Sequence, residues 1–107
     1  MSRSLAGKAA IAGIGQTEFS KASGRSELQL ACESVKAALD DAGLRPRDVD
    51  GMVTCTMDSS EECEVARSLG ISELRYFSRT THGGGACAVV MHAAMAVATG
   101  AADVVVC

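Results

Sequence analysis

Apolar positions change their spacing along this chain, and each change marks an element. Residues 8–17, KAAIAGIGQT, form a short apolar run that leaves through glycines, the pattern of a buried strand. After a polar loop, residues 26–43, SELQLACESVKAALDDAG, place Leu28, Ala31, Cys32, Val35, Ala38, Leu39 and Ala42 three and four apart. That spacing is one packing face of a helix, opened by Ser26 and Gln29 as a capping box and stopped at Gly43. Pro46 prevents the following LRPRDVD from continuing it.

Residues 51–57, GMVTCTM, alternate and carry Val and Thr, so they read as a second strand. A short helix is expected in 59–71, SSEECEVARSLGI, with Ser59 and Glu62 as its capping box and Gly70 as its stop. A third strand covers 74–80, LRYFSRT. Three glycines then lead into a helix from about Gly84 to Thr99, ended by Gly100, and ADVVVC is a fourth strand. The order β-α-β-α-β-α-β requires crossovers, hence an α/β fold with a mostly parallel sheet and helices on its faces. The helix GACAVVMHAAMAVAT has no charged residue and is expected to be a buried central helix within a larger assembly. A hydrophobic strand reaching the last residue is unusual for a natural domain. Residues 1–107 are therefore expected to be the N-terminal portion of a domain whose remainder lies outside this chain.

Composition narrows the picture further. Phe19, Tyr76 and Phe77 are the only aromatics, although 48% of residues are hydrophobic, so the core is aliphatic and suits close-packed helices on parallel strands. A net charge of −3 with interspersed signs offers no basic stripe for nucleic acid and no attraction to an anionic membrane. No apolar run approaches membrane-spanning length, and MSRSLAGKAAIAGIG, interrupted by Gly13, is a poor signal peptide. Five cysteines at 32, 55, 63, 87 and 107 include no C-x-x-C pair, which favours reduced thiols in a cytoplasmic protein.

The candidate chemistry is concentrated in HGGGA, residues 82–86. Glycines let the backbone turn sharply and let a ligand approach it, while a helix start leaves amide N–H groups aimed at an incoming oxygen. The competing reading is that these glycines only permit close packing. His82 at the mouth of the turn either lines a site or shapes the turn; His92, mid-helix, is expected to be partnered and partly buried. Neither histidine has a cysteine at ligand spacing, so no metal site is expected. GIGQTEF has Glu18 where a dinucleotide fingerprint needs glycine, so a tight turn is the better reading. DSSEECE reads as a solvated helix start, and the methionines of the glycine-preceded helix as core.

AIAGIGQTEF, LACESVKAALDDAGL, DVDGMV and ATGAADVVV, taken in order, resemble the thiolase superfamily, in its sterol-carrier-protein-x and lipid-transfer-protein branch. The resemblance implies a thiolase-like layered fold, of which these residues are the opening part of the first half. It also places the family's nucleophilic cysteine at Gly83, four residues before Cys87. Cys87 is then about one helical turn inside the helix, and is expected to be a core residue. Glycine cannot carry an acyl group, so the implied chemistry moves from thiolysis to carbon–carbon cleavage. THGGGA resembles the thiolase-like aldolases of bacterial sterol side-chain breakdown, which cleave a β-hydroxyacyl-CoA to a ketone and propionyl-CoA by a retro-aldol step.

By that resemblance, His82, Gly83 and Gly84 line the substrate site, and the acid and base lie downstream of Cys107. Coenzyme A enters only as part of the substrate, with no cofactor. A homodimer and a small partner bearing an OB-fold and zinc ribbon are implied. Two other readings stay open: an acyltransferase of the acetyl-CoA acetyltransferase type using Cys87, and a non-catalytic lobe that binds lipid or acyl-CoA.

Overall fold

Sequence spacing and backbone geometry agree best in the first helix. The computed structural model describes residues 4–56, 62–81 and 84–107. Helix α1 spans Glu27–Ala42, and Ser26, in extended conformation, accepts the Gln29 amide on its hydroxyl at 3.1 Å. At the far end Gly43 takes φ 73°, its amide reaching Asp40 O and that of Leu44 reaching Leu39 O. This left-handed exit satisfies two otherwise orphaned carbonyls, and a side chain at Gly43 would oppose it. A single 3-10 turn, Pro46–Asp48, then redirects the chain.

Strand β1, Gly51–Cys55, is the middle of a three-stranded parallel sheet. Strand β2, Tyr76–Thr80, pairs with its whole length, and β3, Val105–Val106, pairs with Gly51 and Met52 on the other side. Helix α2, Glu62–Leu69, crosses between β1 and β2, and α3, Gly85–Thr99, crosses between β2 and β3. Ser59, the expected cap of α2, lies outside the described residues. Side chains alternate along β1. Met52 joins Leu39 of α1, Val65 and Ala66 of α2, Val49 and Ile71 in one core cluster. Cys55, three residues on, lies instead beside Gly85 at the start of α3. The sheet thus separates α1 and α2 from α3.

One expected strand is not present. Residues 9–17 take no regular structure and pair with no strand among the described residues; Gly13 and Gly15 lie against α1 instead. Ile14 N donates to Asp41 Oδ2 at 3.0 Å, while the Ile11 and Ile14 side chains are 76% exposed. A segment becomes a strand only where a neighbouring edge offers donors and acceptors, and local pattern cannot supply one. GIG is likewise no tight turn. A Cβ on Gly13 would stand 2.4 Å from Ala38 O, and one on Gly15 2.3 Å from Ser34 O. Both glycines exist for close approach to the small-residue face of α1. Gly15→Ala is therefore expected to lift residues 10–17 off α1 at a cost of about 1–3 kcal/mol. Hydrogen exchange at Ile14 and its neighbours measures this, and unchanged protection would refute the contact.

Candidate functional site

The turn from β2 into α3 depends on Gly84, which caps the helix at φ 84° with no side chain to accept its first amides. Cys87 N and Ala88 N both reach Gly84 O at 3.2 Å, leaving the Gly85 and Ala86 amides ahead of them at the uncapped end. Gly84 is exposed, and none of the described residues lies within 4 Å of where its Cβ would stand. Gly85, directly behind, is buried against Thr80 and Cys55. Of the three residues expected to line a site, Gly84 has this geometry, whereas His82 and Gly83 lie outside the described residues.

Cys87 lies outside the core that these residues form among themselves. It is exposed, along with Val90, Met91 and Met95, on the face of α3 turned away from the sheet. Gly85, His92 and Ala96 follow the sheet-facing repeat, and two residues beyond Gly85 is more than half a turn around the helix. Met91 and Met95 share that face and likewise lie outside the core formed within these residues. His92 matches its expectation: it is half-buried, with Nδ1 3.0 Å from Ser78 Oγ. None of the five cysteines is in a disulfide. No group of three metal-ligating side chains occurs among the described residues. No helix among them is long and apolar enough to cross a membrane.

Two residues at the opposite end of the sheet escaped sequence reading. Asp50, just before β1, accepts the amides of Asp103 and Val104 on Oδ1, each at 2.9 Å, and Arg75 Nη1 on Oδ2 at 3.0 Å. Arg75 also donates to Gly100 O at 3.1 Å. Gly51 completes the arrangement, since a Cβ there would meet Val105 and Ala102 at 2.9 and 3.0 Å. DVDGMV and GAADVV are therefore two halves of one contact. Their co-occurrence in order was the available signal. In the loop before α1, the Arg25 guanidinium bonds Glu18 and stands 2.6 Å from Glu33 Oε2. The Arg25 hydrogen bond holds the Glu18 carboxyl below its ordinary range. Around them residues 17–25 and Leu30 enclose an open hollow of about 540 Å³.

A parallel sheet with α3 starting at a glycine turn defines a thiolase-like α/β fold, and two solved structures share it. They are 3-oxoacyl-[acyl-carrier-protein] synthase III from Aquifex aeolicus, with a TM-score of 0.60 at 19% identity over 85% of this chain and 30% of that one, and the priming β-ketosynthase of the R1128 polyketide pathway, with 0.60 at 21% over 75% and 25%. Within that class the chain is similar to the thiolase-like aldolases. It is 69% identical over 104 residues to the steroid side-chain-cleaving aldolase of Thermomonospora curvata, covering 96% of this chain. It is 66% identical over 103 residues, 95% of this chain, to the 17-hydroxy-3-oxo-4-pregnene-20-carboxyl-CoA lyase of Mycobacterium tuberculosis. The solved Ltp2–ChsH2(DUF35) aldolase superposes with a TM-score of 0.91 at 68% identity, over 94% of this chain and 27% of that one. The chain spans 27% of the length of both curated relatives. No family model matches it.

Proposed function

We propose that these residues are the N-terminal portion of a thiolase-like lyase that cleaves a β-hydroxyacyl-CoA, a steroid side-chain acyl-CoA, to a ketone and propionyl-CoA. The observation that carries this reading is the 69% identity, across nearly the whole chain, to a protein named for steroid side-chain-cleaving aldolase activity. The second relative's name supports the substrate class. A hydroxyl on carbon 17 and an acyl-CoA carbonyl borne on carbon 20 put the hydroxyl carbon β to the thioester, as a retro-aldol requires.

In that reaction a base takes the β-hydroxyl proton and the Cα–Cβ bond breaks. Its electron pair passes into the thioester as an enolate, which is then protonated at Cα. The β-carbon becomes the ketone, so atoms balance without free coenzyme A or any redox partner. The amides at the start of α3 suit the thioester oxygen, on which negative charge develops. The resemblance adds His82 and Gly83, which lie outside the described residues, to the substrate-binding set, and the acid and base come from elsewhere in the polypeptide. The active form is a cytoplasmic homodimer with a partner protein carrying an OB-fold and zinc ribbon. The two-protein name of the Ltp2–ChsH2(DUF35) aldolase supports a partner of some kind.

The test uses the full-length protein with its partner, a β-hydroxyacyl-CoA bearing a steroid-like tertiary alcohol, and mass spectrometry of the products. Ketone and propionyl-CoA without added coenzyme A support the lyase. Cleavage only with free coenzyme A, lost on thiol alkylation, would make it a thiolase. Acyl-CoA binding without turnover would leave a carrier lobe. Cys87→Ala separates the first two directly. Cys87 is exposed and its amide is already spent on Gly84 O, so the variant is expected to keep kcat within about twofold.

A further inference from the structure

Strand β2 turns a hydroxyl toward α3 at every inward position: Tyr76, Ser78 and Thr80. The lower two connect to His92, with Tyr76 donating to Ser78 Oγ at 3.2 Å and Ser78 Oγ standing 3.0 Å from His92 Nδ1. Thr80 stands apart from this chain, at the end nearest the glycine turn. It is only 5% exposed and is the one buried polar side chain among the described residues. Its hydroxyl donates to Gly85 O at 2.6 Å, and its own carbonyl accepts the Thr56 amide at 2.9 Å. The residue is thus held to β1 on one side and to the first residue of α3 on the other.

A helix start lacks acceptors for its N–H groups; its carbonyls already have partners one turn ahead. Gly85 O therefore needs no extra donor on grounds of backbone satisfaction. What the Thr80 bond adds is position. It ties the first turn of α3 to the end of β2, and the seat is filled, because a Cβ on Gly85 would lie 3.0 Å from Thr80 Oγ1 and 3.5 Å from Cys55 Sγ.

We propose that Thr80 is a positioning residue: through the Gly85 carbonyl, its hydroxyl sets where the amides at the start of α3 stand relative to the bound thioester. This assignment rests on the lyase reading above. Displacing that turn by a fraction of an ångström weakens the contact to the developing enolate oxygen more than it weakens binding of the distant steroid and coenzyme A parts.

The experiment compares wild type, Thr80→Val and Thr80→Ser in the full-length enzyme with its partner, reading kcat and KM for propionyl-CoA release. Valine keeps the shape and removes the donor, and is expected to lower kcat about tenfold or more with KM within about threefold. Serine is expected to restore kcat to within about threefold of wild type. Should Thr80→Val fail to fold, Gly85→Ala crowds the same bond while leaving the hydroxyl, and a fall in kcat is again expected. An unchanged kcat in whichever of these variants folds overturns the assignment, as does a loss that serine leaves unrepaired. Wild type that releases no propionyl-CoA overturns the lyase reading and Thr80's role with it. Wild type that cleaves while Thr80→Val cleaves as fast overturns Thr80 alone.

Discussion

Replacing Asp50 by alanine is expected to destabilise the protein by about 2–4 kcal/mol, the largest single loss outside the apolar core. Its side chain is 17% exposed, yet it accepts two backbone amides and one guanidinium. Alanine strands the Val104 amide, which is half-buried, and leaves Arg75 with only Gly100 O and the exposed Asp103 carboxylate. Because the three groups belong to the starts of β1, β2 and β3, the loss is felt as a loosened sheet end. Asparagine keeps an acceptor but not the charge, and should recover roughly half of the loss. Urea unfolding of the intact protein, with hydrogen exchange at 103 and 104, measures both effects. Wild-type stability in Asp50→Ala would mean that β-ladder pairing alone holds β3 in place.

Gly84→Val should reduce turnover by about a hundredfold or more while leaving most of the fold intact. Two effects combine. At φ 84° an L residue carries roughly 1–2 kcal/mol of steric cost, and more when β-branched. The new side chain also meets none of the described residues within 4 Å of its Cβ position, so it disrupts no packing among them. That side of Gly84 is where the thioester is proposed to approach. Gly84→Ala carries most of the backbone cost with less obstruction, so it separates strain from blockage. Product release is followed by mass spectrometry and folding by circular dichroism. Full activity in the valine variant would remove the glycine turn from the site.

These two positions also show how differently the sequence spoke. Gly84 was visible at once, because three glycines before an uncharged helix have few structural uses. Asp50 and Arg75 were not, since a lone aspartate before a strand looks like any turn residue until Val104 is placed beside it. Thr80 was hidden for a similar reason: its partner is a backbone carbonyl, which leaves no trace in residue types.

Local pattern by itself determined the helices and the ends of α1, because these depend on neighbours three or four residues away, and the alternation of strands with helices then implied parallel pairing. The ordered motifs pointed further, to a thiolase-like chain with glycine at the nucleophile position. Only the tertiary structure decided which extended segment became a strand, since residues 8–17 have the composition of one but no paired edge among the described residues. It also decided which face of α3 meets the sheet. An all-apolar helix carries no hydrophobic contrast to orient it, so the exposure of Cys87 and the burial of Gly85 were set by the hydroxyls of β2 and by where a backbone could fit.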